Sequence, residues 1–274
     1  DLIHNHFSFF MFPLLNETNC PPMLTTIHNP IDPSLADTIK NFPPSNFCVL
    51  SDDENVSARE FNIPTIGVVP NGINHELYTF NPTMGDYLLY LGRLNHEKGI
   101  KTALEIAKKT NQKLVVAGNM VGAEEWTYFM HEVQPHLNEE NVKFMGQVDF
   151  NDKVRLLSGA KALLFPIDRR EPFGLVMIEA MACGTPVLAF RKGSVPEIVE
   201  NGKTGYIVDT AEEMCDVIPK IGFINREDCR RVVEERYTIK HMVDKYEEIY
   251  EKLIKNKKEV ENRADSSVMV SHTA

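Results

Sequence analysis

The chain has 274 residues, 43% hydrophobic and 25% charged, with a formal net charge of -10 and a pI near 5.4. That is ordinary soluble globular composition, long enough for one large or two smaller domains, and its acidic balance argues against a nucleic-acid surface, which would be basic. Cys20, Cys48, Cys183, Cys215 and Cys229 are scattered without a C-x-x-C pair, so neither zinc nor a disulfide framework is indicated, a cytoplasmic setting is the simpler expectation, and no apolar run reaches the ~20 residues of a membrane helix.

The chain opens at Asp1 without a methionine, and "DLIH" reads as a strand already under way, so the natural start is expected upstream. "DLIHNHF", "PMLTTIH", "NFCVLS" and "TIGVVPNG" look like strand endings, with helical patterns at "DPSLADTIKNF" and "ENVSAREF". Four strands with few helices predict an incomplete α/β domain over 1–82. The breakers Pro70-Asn71-Gly72, Pro82 and Gly85 place a boundary there. From Tyr87 onward, "YLLYLG", "KLVVAG", "VKFMG", "KALLFPI", "PVLAF" and "GYIVD" alternate with helical patterns. These runs are apolar throughout, so both sheet faces are covered and the sheet is parallel. Residues 83–225 are therefore expected to form a doubly wound, Rossmann-like domain. Helices follow over 226–260, the last with Met242, Tyr246, Ile249, Tyr250 and Leu253 at helical spacing. The stretch 261–274 has no period and is expected to be disordered.

The stretch "EPFGLVMIEAMACGTP" places a carboxylate, Glu179, among apolar neighbours, and another, Glu171, in the preceding loop. A helix running from Phe173 to Met181 would start at the carboxyl edge of the sheet, where open α/β sheets bind ligands. Amides near Phe173, Gly174 and Leu175 would favour an anion there. A buried ionised Glu179 needs donors, either a protein cation or ligand hydroxyls such as those of ribose. Gly92 and Arg93 end the first strand of the same domain, and Lys98 follows five residues after Arg93. Two cations at that edge suit a diphosphate. The competing reading makes Glu179 a structural ion-pair partner and the cations a solvated turn.

"GRLNHEKGI" followed by "EPFGLVMIEAMACGTPVLAFRKGSVPEIVENGKTGYIV" resembles the retaining glycosyltransferases of the GT-B fold, family 4 (glycosyl transferases group 1). Glu171 and Glu179, with seven residues between them, match that family's signature. "VVPNGINHELY" resembles its interdomain segment, with Asn74 where aspartate is usual. The resemblance implies a GT-B fold of two Rossmann-like doubly wound domains, the N-terminal one incomplete here.

It also implies transfer of a sugar from a nucleotide diphosphate sugar to an acceptor hydroxyl, with retained anomeric configuration and neither metal nor other cofactor. By the same resemblance, Arg93 and Lys98 hold the leaving diphosphate, Glu179 the ribose hydroxyls and Glu171 the donor sugar. Amides of Phe173, Gly174 and Leu175, with Gly92, meet sugar and phosphate, and the segment ending at Val148 lies by the base. UDP- and GDP-sugars both fit, and the acceptor is an unassigned carbohydrate, lipid or other hydroxyl. His28 matches a histidine that faces the donor sugar; its competing reading is a satisfied loop histidine. His4 and His6 share a strand face without an apparent third metal ligand. Gly193-Ser194 stands where the family has two glycines, a change expected to touch a backbone contact near the sugar.

The basic run Lys252 to Lys258 reads either as peripheral contact with anionic lipid or, flanked by glutamates, as a solvated helix face. Two other functions compete with the transferase reading. One is another enzyme of the same cleft, such as a sugar-nucleotide epimerase; a phosphorylase would need a pyridoxal-phosphate lysine motif, and none is seen. The other is a non-catalytic nucleotide-sugar-binding module. No counterpart of the family's first glycine-containing loop precedes Asp1, so the enzyme reading concerns the intact protein.

Overall fold

The computed structural model describes residues 1–17, 20–42, 45–137 and 141–271. The chain divides into two units, one of Asp1–Pro70 with the chain from Lys240 onward, the other Asn71–Ile239. In the first, β1 (Ile3–Asn5), β2 (Met23–Thr26), β3 (Asn46–Val49) and β4 (Thr65–Val68) form a parallel sheet in the order β1-β2-β3-β4. Helix α1 (Pro33–Lys40) starts at Asp32, whose carboxylate accepts from the Leu35 amide at 2.8 Å, with Pro33 at the first helical position. Helix α2 (Asp52–Glu60) starts at Ser51, whose hydroxyl accepts from Glu54, and three acidic residues in its first turn complement the helix dipole. Phe12, Ile27, Ala36, Phe47, Val49 and Ala58 are buried together in this unit.

The second unit alternates strand and helix in the expected order: β5 (Tyr87–Leu91), α3 (Ile100–Lys109), β6 (Lys113–Ala117), α4 (Gly122–Tyr128), β7 (Val142–Gly146), α5 (Phe150–Gly159), β8 (Ala162–Phe165), α6 (Leu175–Ala182), β9 (Val187–Phe190), α7 (Val195–Ile198), β10 (Gly205–Val208), α8 (Ala211–Val217) and α9 (Arg226–Arg236). All six strands are parallel, in the order β7-β6-β5-β8-β9-β10. Counted within the unit, this is the doubly wound order 3-2-1-4-5-6, whose direction of winding reverses between β5 and β8. Leu88, Leu89, Leu163 and Leu164 on these two central strands are fully buried, which is why their sequences read as unbroken apolar runs. β7 is one of the two edge strands, and there Phe144 and Met145 remain exposed.

The division falls at Pro70–Asn71 rather than near residue 82. Residues 71–82 are bonded into the second unit. The Ile73 amide donates to Tyr237 O (2.9 Å), Ile239 to Ile73 O (3.1 Å) and Asn81 to Cys183 O (3.1 Å). A side chain at Gly72 would come within 2.2 Å of Thr238 O, so only glycine fits that passage. Helix α9 likewise stays with the second unit, whereas α10 (Ile239–Ser271) passes to the first. There Tyr246 and Leu253 are buried with Leu24, Cys48 and Val69. The tail expected to be disordered from 261 is helical as far as Ser271, because no glycine or proline interrupts the chain after residue 239; residues 272–274 lie outside the described residues. Among the described residues no helix is long and apolar enough to cross a membrane.

His4 joins β1 to α10. Its Nδ1 lies 2.6 Å from Tyr250 OH and its Nε2 2.8 Å from Thr26 Oγ1, which also bonds Tyr246 OH. Burial, then the nearby His6 and His28, lower its pKa from 6.5 to about 4. Between these values the unfolded chain binds more protons than the folded one, so stability falls as pH drops from 6.5 towards 4 and is flat above. For this half-buried ring the loss is about 1–2 kcal/mol after solvent screening. His4→Gln should flatten the melting-temperature profile between pH 7.5 and 4.5. A variant whose profile parallels the wild type would show that His4 is not responsible.

Candidate active site

The loops leaving β5 and β8 meet at the reversal point of the second sheet. Gly118, at the end of β6, touches Gly92 so closely that a Cβ there would lie 1.8 Å from Gly92 O. Tyr90, buried at 3% exposure, places its hydroxyl 2.7 Å from Arg93 O and 3.3 Å from Lys98 O, pinning both ends of the β5–α3 loop. Gly99 then turns the chain into α3 with φ of 73°; a Cβ would meet Pro166 O at 1.9 Å. The Asp168 amide donates to Glu97 O (2.9 Å), Arg169 pairs with Glu97 (2.7 Å), and Lys98 Nζ donates to Glu171 Oε2 (2.5 Å). The two loops are thus one hydrogen-bonded assembly.

Helix α6 begins at Leu175, two residues later than expected. Gly174 adopts φ 77° and ψ 67°, a left-handed conformation that cannot continue a helix backwards. Phe173 is therefore outside the helix. Its ring is buried edge-on to Tyr237, 5.8 Å between centroids, and its carbonyl accepts from the buried Ser194 hydroxyl at 2.8 Å. The Ser194 amide donates to Glu171 O (3.0 Å), while a Cβ on Gly193 would lie 2.4 Å from Glu171 N. Gly193-Ser194 therefore holds the backbone of the loop carrying Glu171.

Along α6, Leu175, Val176 and Glu179 share one face and line a cavity of about 350 Å³, together with Gly92, Arg93, Gly118, Asn119, Val148 and Lys153. Met177, Ile178, Ala180 and Met181 are fully buried, so the functional face is one narrow stripe on a helix that otherwise reads as core. Glu179, with 12% of its side chain exposed, has protein donors: Lys153 Nζ at 2.6 Å and Tyr78 OH at 2.8 Å, both on Oε1. Burial, then the charge and hydrogen bond of Glu179, raise the Tyr78 phenol well above its ordinary pKa.

The two expected cations are not aimed at one point. Arg93 lines the cavity but bonds to Glu125 on α4; Lys98 bonds to Glu171 and does not line that cavity. Glu125 is buried and also accepts from Asn95 Nδ2 (2.8 Å) and the Val121 amide (2.6 Å). Burial alone would raise its carboxyl pKa; the bonds from Asn95, Val121 and Arg93 outweigh it and hold the group below the usual carboxylate range. Among the described residues no group of three or more His, Cys, Asp or Glu could hold a metal ion. His28 belongs to the first unit, exposed beyond β2, with Nε2 2.8 Å from His6 Nδ1.

Sequence reasoning missed Tyr78, Lys153 and Glu125. Lys153 carried a readable signal: it stands in the first turn of a helix that starts beyond the carboxyl end of β7, on the ligand-facing edge of the sheet. Tyr78 had none, because the boundary drawn at 82 put it in the other unit.

The Salmonella typhimurium lipopolysaccharide 1,2-N-acetylglucosaminetransferase is 28% identical over 282 residues, covering 90% of this chain and 71% of that protein. Among solved structures, sucrose-phosphate synthase from Thermosynechococcus elongatus superposes with a TM-score of 0.79 at 24% identity, over 93% of this chain and 74% of that one. An Anabaena protein solved with UDP-glucose does so with a TM-score of 0.74 at 18% identity, over 85% and 72%. The two solved structures have the GT-B fold, and this chain shares it. Two further curated relatives, 30% and 28% identical, are matched over only 45% and 42% of their length, so the chain spans less than half of each. The family model described as glycosyl transferases group 1 matches residues 79–238, more than half of the chain and nearly all of the second unit, and the chain belongs to that family.

Proposed function

We propose that the second unit binds a nucleotide diphosphate sugar in this cavity, and that the intact protein transfers the sugar to an acceptor hydroxyl with retained configuration and without a metal. The observation that carries the reading is Glu179, a carboxylate on a mostly buried, otherwise apolar helix, lining a cavity at the sheet's reversal point. Glu179 would take the ribose hydroxyls. Leu175, nearly half exposed, and Val148 would cover the nucleoside. Gly92 leaves room for the phosphates beside Arg93, and the free amides of Leu175 and Val176 at the start of α6 favour an anion.

In this reading the bound diphosphate competes with Glu171 for Lys98. Lys98 gains an anion carrying more charge, and the released Glu171 can accept from the donor sugar's hydroxyls. Glu125 keeps its Asn95 and Val121 bonds and continues to orient Arg93. Glycosyl transfer passes through an oxocarbenium-like state as the leaving group turns anionic. Fixed cations and helix amides stabilise that charge. The departing phosphate oxygen can take the acceptor proton on the same face.

Calorimetry with UDP and GDP tests the donor site. Glu179→Ala should weaken whichever nucleotide binds by about 10–100-fold, the loss of one or two charge-assisted hydrogen bonds. Unchanged affinity in the variant would remove the basis of this reading.

A further inference from the structure

Resting on the donor-site reading, we propose that Tyr78 and Lys153 are positioning residues for Glu179, and that their shared grip sets how strongly the site prefers ribo- over 2′-deoxyribonucleoside diphosphates. Both donors bond the same oxygen, Oε1, at 2.8 and 2.6 Å; Oε2 carries neither bond. The carboxylate is thereby fixed in plane and rotation, with one oxygen occupied by protein and the other left to a ligand. A lone donor would let the group turn about its hydrogen bond. Two donors from different elements, one on α5 and one before β5, define its orientation.

Each donor is itself held. Tyr78 is buried at 6% exposure, its ring edge-on to Phe150 with 5.5 Å between centroids. Its backbone is fastened by Arg230, whose Nη1 donates to Tyr78 O (2.9 Å), His75 O (3.0 Å) and Ala182 O (2.8 Å), the last at the end of the helix that carries Glu179. Lys153 Nζ lies 5.3 Å from the centroid of Phe150 and 5.7 Å from that of Tyr78, so both rings favour its charge. Lys153 also supplies the counter-charge that a nearly buried carboxylate requires. Oε2, the oxygen left to the ligand, has two acceptor sites and can meet both vicinal hydroxyls at once; a deoxyribose keeps only one of those two charge-assisted bonds.

The test is calorimetric affinity for UDP and 2′-deoxy-UDP, and for GDP and 2′-deoxy-GDP, with melting temperature measured alongside. The wild type should prefer the ribonucleotide by about tenfold or more. Tyr78→Phe keeps the ring and should cut the preference several-fold; Lys153→Met should nearly abolish it; Lys153→Arg should restore most of it. A merely structural role would shift melting temperature and leave the ribo-to-deoxy ratio unmoved. An unchanged ratio in Tyr78→Phe and Lys153→Met, with the ratio lost in Glu179→Ala, would overturn the proposal and leave the donor site standing. Absence of nucleotide binding, or of ribose preference, in the wild type would overturn both.

Discussion

On the donor-site reading, Lys98→Ala in the intact protein is expected to lower sugar transfer by about 10²–10³-fold while leaving the fold intact. The lysine sits in a loop that Tyr90 pins at both ends, its amide donates to Asn95 Oδ1 (3.0 Å), and Gly99 fixes the turn that follows. Its charge is therefore already in place when the leaving diphosphate becomes more anionic, which is the condition for a large electrostatic contribution. Its structural worth is smaller. The Lys98–Glu171 pair is mostly buried, at 23% and 13% side-chain exposure, so leaving Glu171 without this donor should cost about 1–3 kcal/mol. Initial rates with the nucleotide sugar that binds, beside melting temperatures of both proteins, separate the two effects. Normal turnover in the variant would disprove the role.

The second large effect concerns stability. Arg226 is buried at 6% exposure, and its hydrogen bonds go to backbone carbonyls and one hydroxyl. Nε donates to Asn81 O (2.7 Å), Nη1 to Ala160 O (3.0 Å), and Nη2 to Ser158 O (3.1 Å) and Thr185 Oγ1 (2.8 Å). Ser158 and Ala160 lie at the carboxyl end of α5, where orphan carbonyls and the helix dipole favour a cation. Burial lowers the guanidinium's pKa, so removing it relieves a desolvation cost. Several buried acceptors would be orphaned at the same time, and that term is the larger. Arg226→Met should destabilise the protein by about 3 kcal/mol. Arg226→Lys should recover little, since one ammonium cannot span acceptors arranged for a planar fork. Urea unfolding should show a lower midpoint at constant slope; a shift under about 1 kcal/mol would contradict this account.

Much of this was legible in the sequence, for physical reasons. Strands β5 to β10 announced themselves because a parallel sheet covered on both faces needs unbroken apolar runs. Glu179 stood out because a carboxylate among Met177, Ile178, Ala180 and Met181 must find donors. What stayed hidden depended on contacts between distant segments. That Gly174 would be left-handed, moving the start of α6 to Leu175, follows from its placement against Phe165, Met177 and Glu171. The breakers at Pro70 and Pro82 look alike in sequence; only the bonds of Ile73 and Asn81 decide between them. Glu179 is an ion-pair partner of Lys153, and it also lines a cavity. The tail after 260 was misjudged because lack of hydrophobic period removes a packing signal but supplies no signal to stop a helix.

The bonds of Ile73 to Tyr237 and Ile239 bring the beginning and end of the second unit side by side. A segment whose termini touch closes on itself like a ring, so where the chain is cut matters little to its architecture. Joining residue 71 to residue 239 through a few linker residues, and opening a surface loop elsewhere, would yield a circular permutant with the same six-stranded sheet and the same cavity.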